Sequence, residues 1–302
     1  PRFRGGSLGE AAFSRDGRRI TFVSRACPNG PCSNPPNRIY VADLDGSNPI
    51  EILAGASTTE TFTDLAWSPD GTQIAFIFGA SAAAGGSQKI KIVNVANSAG
   101  SIVTTVFTPA ARDLISSLSW SLDSLSLAFT KKSSGSVSDI FTINKNGLPA
   151  TLKKLTSSSV AIGQNSKPAW SPDGTRIAYI FKLTSNSSGG KVKMLTLNPD
   201  GTVLSDEIVA ADQFFTEVAW SPDGLWLGFN QLSTAPSGAG FGVMAPLPNS
   251  PLIRRFAQPI THFSWVPTFG ATTPTGSSVV TTAGAVSINF GTVTTAGTTT
   301  VT

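Results

Sequence analysis

Histidine, cysteine and charge are all scarce in this sequence of 302 residues. It contains one His and two Cys, and Asp, Glu, Lys and Arg together make up 13% of the chain, against roughly a quarter in an average soluble protein. The scarcity of His and Cys argues against an enzyme built on a histidine base or on a metal centre. No apolar run approaches the ~20 residues that a membrane-spanning helix needs, so we expect no membrane span.

The residues that are abundant indicate a folded, turn-rich protein. Hydrophobic residues make up 40% of the chain and include six Trp, while 29 Gly and 20 Pro supply many turns. This composition argues against disorder, because a chain so rich in apolar residues can bury a core. The length fits two ordinary domains or one large all-β domain.

The positive charge is concentrated at the N-terminal end. The formal net charge is +4, and the first 25 residues, with six Arg against Glu10 and Asp16, already account for it. A nucleic-acid-binding protein needs a basic stripe with aromatic residues for stacking. Here the aromatic residues recur at the spacing of a core instead, so we expect no nucleic-acid partner.

Two cysteines, Cys27 and Cys32, enclose the sequence Pro-Asn-Gly-Pro. These four residues favour a tight turn that brings its ends together, so we predict a disulfide. Closing so small a loop stabilises by about 2 kcal/mol in the chain-entropy account. The alternative, half of a zinc site, lacks ligands because the chain has one His. A disulfide places the protein outside the reducing cytosol, and the start at Pro1 rather than Met indicates a processed or excised product.

A motif recurs about every fifty residues along the chain. The segment 66–76, Ala-Trp-Ser-Pro-Asp-Gly-Thr-Gln-Ile-Ala-Phe, returns almost unchanged at 169–179, and its first six residues return at 219–224. Weaker copies stand at 12–17 and 119–124, and the last copy is broken. One aromatic residue of each copy is predicted to lie in the core of its repeat: Phe13, Trp67, Trp120, Trp170, Trp220 and Trp265, at spacings of 54, 53, 50, 50 and 45.

Each copy predicts two strands joined by a turn. Pro and Asp-Gly form the turn, because Pro fixes φ and Gly accepts positive φ, and the flanks alternate with the period of two that a strand requires. A second pair of strands follows, as at 38–43 and 50–53. Four strands in each unit of about fifty residues is typical of a propeller blade.

The Trp-Ser-Pro-Asp-Gly hairpin, followed by Ile-Ala-Phe or Ile-Ala-Tyr and then an Ile-Tyr-Val strand, resembles the TolB-type β-propeller repeat. The resemblance covers about residues 8–267 and departs from the pattern in the third and sixth copies, where Pro-Asp-Gly is degraded or absent. It implies an all-β, six-bladed propeller in the periplasm or outside the cell. The family's general role is non-catalytic protein interaction, although related propellers also accompany peptidase domains.

Counting strands leaves the sixth blade incomplete. Six copies of the first strand are present, the last at 260–266, but only five sets of the other three strands follow. We therefore divide the chain into a propeller over residues 1–267 and a Thr-rich β tail or linker over residues 268–302. An incomplete blade leaves an open edge strand, which invites pairing with another strand.

The tail contains 13 Thr and no charged residue, since Arg255 is the last charge in the chain. It resembles the opening of the Thr-rich β modules found along bacterial surface proteins. It is a linker, or completes its own sixth blade, or pairs with a neighbour's open edge by strand addition. The third hypothesis makes it an assembly tail, with these strand residues: Val279, Val280, Val286, Ile288, Phe290, Val293 and Val301.

No catalytic, cofactor-binding or metal-binding residue is predicted. His262 lacks a Gly-x-Ser-x-Gly nucleophile elbow elsewhere in the chain, so we interpret it as structural. The repeated aspartates occupy turns, where Asp bonds the local backbone: Asp16, Asp70, Asp173 and Asp223. The longer loops lie on the face opposite these turns.

We predict a non-catalytic structural or interaction module, extracellular or at the cell surface, with the periplasm as an alternative. Its expected partner is another copy of itself or another surface protein, and it needs no cofactor. Two alternatives remain open: a monomeric propeller that binds a protein or glycan through its long-loop face, and an accessory domain of a larger secreted enzyme.

Overall fold

The structure is a computed structural model of the 302-residue chain. It describes residues 8–25, 35–79, 88–96, 102–133, 137–183, 190–231, 240–246, 254–256, 279–283 and 286–290. Among these residues, no helix has the length and the hydropathy that crossing a membrane requires.

The described residues form strands almost throughout, with one short 3-10 helix at Pro149–Thr151. In chain order the strands are β1 (Leu8–Phe13), β2 (Arg19–Ser24), β3 (Arg38–Asp43), β4 (Ile50–Ala54), β5 (Thr61–Trp67), β6 (Gln73–Gly79), β7 (Lys89–Asn94), β8 (Val103–Phe107), β9 (Leu114–Trp120), β10 (Ser126–Lys132), β11 (Ser138–Asn144), β12 (Lys153–Lys154), β13 (Gly163–Trp170), β14 (Arg176–Leu183), β15 (Gly190–Leu197), β16 (Val203–Trp220), β17 (Leu227–Gln231), β18 (Gly240–Met244), β19 (Arg254–Phe256), β20 (Val279–Ala283) and β21 (Val286–Phe290).

These strands build five four-stranded antiparallel sets. The first three are separate sheets in chain order, β1 to β4, β5 to β8 and β9 to β12. Strands β13 to β19 form one seven-stranded sheet. The long strand β16 belongs to two sets, because residues 203–210 pair with β15 and residues 215–220 pair with β17. The fourth and fifth sets therefore share one long strand.

The sets pack face to face because neighbouring residues of each central strand point to opposite sides. In β6, Ile74 and Phe76 pack in a core that includes strands of the first set. The alternate residues Ala75 and Ile77 pack with the third set instead. All four side chains are at most 1% exposed, so a central strand is buried on both faces and serves two inter-set cores.

The turn between the first and second strands carries the same hydrogen bonds in every set. In the fourth set the Ser171 hydroxyl donates to Asp173 Oδ1 (2.6 Å), and the Thr175 N–H donates to the same oxygen (2.9 Å). Gly174 takes a φ of +75°, which glycine adopts at little cost. Equivalent Ser–Asp bonds are made by Asp16, Asp70, Asp123 and Asp223.

Two contacts link the turns of different sets. Ser124 replaces the turn glycine of the third set at a φ of 59°, and its hydroxyl accepts the N–H of Asp70 in the second set (3.1 Å). Arg15 in the first set donates to the carbonyl of Pro222 in the fifth set (3.4 Å). The first and fifth sets therefore meet on the face that carries these turns.

Candidate functional site in the central cavity

The first strands of successive sets contact one another and form an inner wall. Contacts run from β1 to β5, from β5 to β9, from β9 to β13 and from β13 to β16. These strands surround a cavity of about 460 Å³ that is lined by residues of all five sets. Four polar side chains among the lining residues are Asp64, Ser117, Lys167 and Glu217.

A bulge in the inner strands places three of these residues. The pairing register slips between Thr63 and Ala66 in the second set, and corresponding slips occur in the third and fourth sets. At the slip the backbone turns to positive φ, at Asp64 (51°), Ser117 (61°) and Lys167 (56°). Such angles are uncommon outside glycine, and bulges often re-aim a side chain next to a functional site.

The cavity residues are joined by hydrogen bonds and an ion pair. The Asp64 N–H donates to the Glu10 carboxylate, and Asp64 Oδ1 accepts the N–H of Ser117 (2.8 Å). On the other side, Lys167 Nζ lies 3.6 Å from Glu217 Oε1. The second oxygen of Glu217 accepts a hydrogen bond from Asn230 Nδ2 (3.1 Å).

Burial raises the pKa of Asp64 above its ordinary value, and the Ser117 N–H and the charge of Lys167 act in the opposite direction. A buried carboxyl with a raised pKa in a cavity is a candidate functional group. Its contact with Ser117 goes through the backbone N–H, so this pair does not form the hydroxyl–base arrangement that nucleophilic catalysis needs.

The repeated aromatic residues lie beside this wall. Trp67, Trp120 and Trp220 are buried, at 6–7% exposure. The indole N–H of each donates to a backbone carbonyl in the preceding set, at Ala12, Ala66 and Ala169 respectively (3.0–3.1 Å).

Trp170 and Phe13 differ from the other aromatic residues. Both are only partly buried, and the Trp170 indole donates to the carbonyl of Gly174 in its own turn (3.1 Å).

The turn aspartates act locally, as the sequence predicts. Burial favours a higher pKa for Asp173, but hydrogen bonds from Ser171 and Thr175 outweigh it and hold the pKa well below its usual range. The hydrogen bond from Ser14 is the largest influence that lowers the pKa of Asp16. In the described residues, no group of three or more His, Cys, Asp and Glu side chains gathers as a metal site would require.

Several predicted residues lie outside the described part of the chain. They are Cys27, Cys32, His262, Trp265, Val293 and Val301, together with most of the long loops. The remaining assembly-tail residues fall in β20 and β21, which pair with each other in a two-stranded sheet.

The four polar cavity residues share one position in the repeat, and our predictions from the sequence did not include this position as a site. Each stands three residues before the aromatic residue of its repeat, as Asp64 stands before Trp67 and Glu217 before Trp220. A polar residue at this fixed offset in successive copies of the repeat was the signal that could have located the site. The same offset in the sixth copy is occupied by His262.

Four-stranded sets that repeat around one cavity, with the same turn in each, define a β-propeller. A family model described as TolB beta propeller domain matches residues 9–235. The chain therefore belongs to the TolB beta propeller domain family, which confirms the resemblance and the all-β propeller fold.

Solved structures share this fold at low identity. A putative TolB from Agrobacterium tumefaciens matches with a TM-score of 0.58 and 18% identity over 83% of this chain and 81% of that chain. An oligogalacturonate lyase from Vibrio parahaemolyticus gives 0.59 and 12% over 85% and 66%. A prolyl endopeptidase gives 0.58 and 12% over 93% of this chain but 38% of its own. These likenesses show the fold alone, which serves in proteins with different activities.

Proposed function

We propose that this protein is a non-catalytic interaction module outside the cytoplasm, and a subunit of a cell-surface or filamentous assembly. Its propeller is the rigid body of the subunit. Its Thr-rich tail joins subunits by adding strands to the sheet of a neighbouring copy or of another surface protein. A disulfide between Cys27 and Cys32 belongs to the same proposal.

The observation that supports assembly most is the isolation of the tail hairpin. Strands β20 and β21 pair only with each other among the described residues, and the chain carries no charge after Arg255. A lone two-stranded hairpin is marginally stable in water, and neither of its edges pairs with another strand of the described residues, so these edges can offer N–H and C=O groups to a partner. An added strand from a partner satisfies those groups.

The contact between the first and fifth sets favours a partner outside the subunit. Arg15 already joins these sets through the carbonyl of Pro222. These turns therefore meet without a contribution from the tail, and we assign its hairpin to pairing between subunits.

The central cavity supports a non-catalytic role. Glu217 is engaged by Lys167 and Asn230, and Asp64 by the Ser117 N–H. These contacts fix the positions of the two carboxylates. Carboxylates at fixed positions can orient a polar partner, as the polar groups of other binding sites do.

Light scattering on the full chain and on charge variants tests the assembly. A lysine at Val280, within β20, is expected to abolish association, because burying an unpaired charge in a partner sheet is costly. Thr299→Lys, which adds the same charge beyond β21 in the sequence, is the matched control and is expected to retain association. Truncation after residue 267 is expected to give monomers.

A monomeric full chain, or an oligomer whose size neither Val280→Lys nor truncation changes, contradicts the assembly proposal. The first result favours a monomeric propeller that binds through its loop face, or an accessory domain of a larger enzyme. The second places the association surface on the propeller itself.

A further inference from the structure

A groove lies between the third and fourth sets, on the face that carries the repeat turns. It has a volume of about 870 Å³ and is lined by residues of both sets, including Ser126, Trp170 and Asn198. This volume falls within the range of small-molecule sites. The groove shares no lining residue with the central cavity.

The groove exists because one side chain is too short to cover the next tryptophan. At the start of β2, the guanidinium of Arg19 lies 4.9 Å from the ring centroid of Trp67, and at the start of β14 that of Arg176 lies 4.7 Å from Trp220. The equivalent residue at the start of β10 is Ser126. A serine cannot reach across the junction, so the ring that follows stays uncovered.

The uncovered ring belongs to Trp170, the tryptophan with the different hydrogen bond. Its indole N–H donates to the carbonyl of Gly174 in its own turn, and its backbone N–H donates to the Ser119 hydroxyl of the third set (2.9 Å). Two differences from the other repeats therefore meet at one junction: the short side chain of Ser126 and the hydrogen bond of the Trp170 indole within its own turn. Together they form a groove with an aromatic ring in its wall.

The remaining lining selects the ligand chemistry. Hydroxyl and amide side chains surround the ring, including Asn144, Thr151 and Asn198. Three carboxylates, Asp123, Asp173 and Asp200, line the groove with one amine, Lys153, which donates to the backbone carbonyl of Asp200. The excess of negative charge disfavours an anionic ligand.

We propose that this groove binds a neutral saccharide. A pyranose ring has an apolar C–H face, which fits the face of the Trp170 ring, and an edge of hydroxyl groups, which the amides and hydroxyls of the lining can bond. The negative face of an aromatic ring attracts such polarised C–H groups. The proposal is independent of the assembly by the tail.

Fluorine NMR of the full chain with 5-fluorotryptophan tests the site. The Trp170 resonance is assigned by its loss in Trp170→Phe. The probes are neutral hexasaccharides of glucose, mannose, galactose and N-acetylglucosamine, with hexagalacturonate as the charged comparison. We expect at least one neutral probe to shift this resonance with a Kd below about 1 mM, and hexagalacturonate to leave it unchanged.

Ser126→Arg restores the cover seen over Trp67 and Trp220, and is expected to weaken binding at least about tenfold while the protein stays folded. Arg19→Ser, which uncovers Trp67 at a different junction, is the control and is expected to leave the affinity unchanged. The proposal is wrong if no neutral probe shifts the Trp170 resonance. It is equally wrong if hexagalacturonate shifts it instead, or if Ser126→Arg binds as the parent does.

Discussion

Replacing single tryptophans by phenylalanine is expected to have unequal effects at two equivalent junctions. Trp220→Phe removes a buried indole whose N–H donates to Ala169 (3.0 Å) and whose ring lies 4.7 Å from the guanidinium of Arg176. Trp170→Phe removes a partly exposed indole that bonds only its own turn, at Gly174. The two changes are chemically identical, so any difference comes from the junctions.

The magnitudes follow from the contacts that each variant loses. In Trp220→Phe, three losses lower the free energy of unfolding. The carbonyl left without its donor costs about 1–2 kcal/mol, and the void beside the smaller ring costs about 1 kcal/mol. The weaker cation–π contact costs about 0.5 kcal/mol. We expect a total of about 3 kcal/mol. For Trp170→Phe, the lost bond near solvent costs about 1 kcal/mol.

Urea denaturation followed by far-UV circular dichroism measures both variants against the parent, because this signal does not depend on the tryptophans that are removed. We expect unchanged m-values and a lower midpoint for Trp220→Phe than for Trp170→Phe. Equal destabilisation, or a larger effect at Trp170, refutes the distinction between the junction at Trp220, which Arg176 covers, and the junction at Trp170, which is uncovered.

Two further predictions concern pH and have opposite signs. The lowered pKa of Asp173 means that its carboxylate stabilises the fold above the unfolded value of about 3.9, so Asp173→Asn should cost about 1 kcal/mol at neutral pH, allowing for a side chain that is 49% exposed. The deficit should begin to shrink as the pH falls below about 4, and a deficit that is as large at pH 3 as at neutral pH contradicts the carboxylate's role. Burial raises the pKa of Asp64, so its charge costs stability as the pH rises above about 4, and Asp64→Asn should become more stable relative to the parent over that range. A relative stability that falls with rising pH is the opposing outcome, and denaturation midpoints from pH 3 to 8 measure both.

The repeats could be predicted from the sequence because each strand and turn is specified locally. The Pro-Asp-Gly turn and its alternating flanks indicate the same hairpin wherever they occur, and the strands predicted at 38–43 and 50–53 correspond to β3 and β4. The third copy kept its turn without Gly because Ser124 adopts positive φ and bonds Asp70 of the preceding set.

The cavity and the groove depend on contacts between sets, which a local pattern does not contain. The bulge at Asp64 adds one residue to its strand between the paired residues Thr63 and Ala66, so the alternation of buried residues changes phase within β5. The orientation of Trp170 depends on what the preceding set places over it, and Ser126 lies far from it in the sequence. Comparison of equivalent positions between repeats, rather than the motif alone, reveals both features.

Electron microscopy of the full chain tests the central claim most directly, because the claim is that subunits assemble through their tails. We expect elongated particles of several propellers joined in succession, and single rings for Val280→Lys. Uniform single rings for both proteins would contradict the account and leave the tail without a role in assembly.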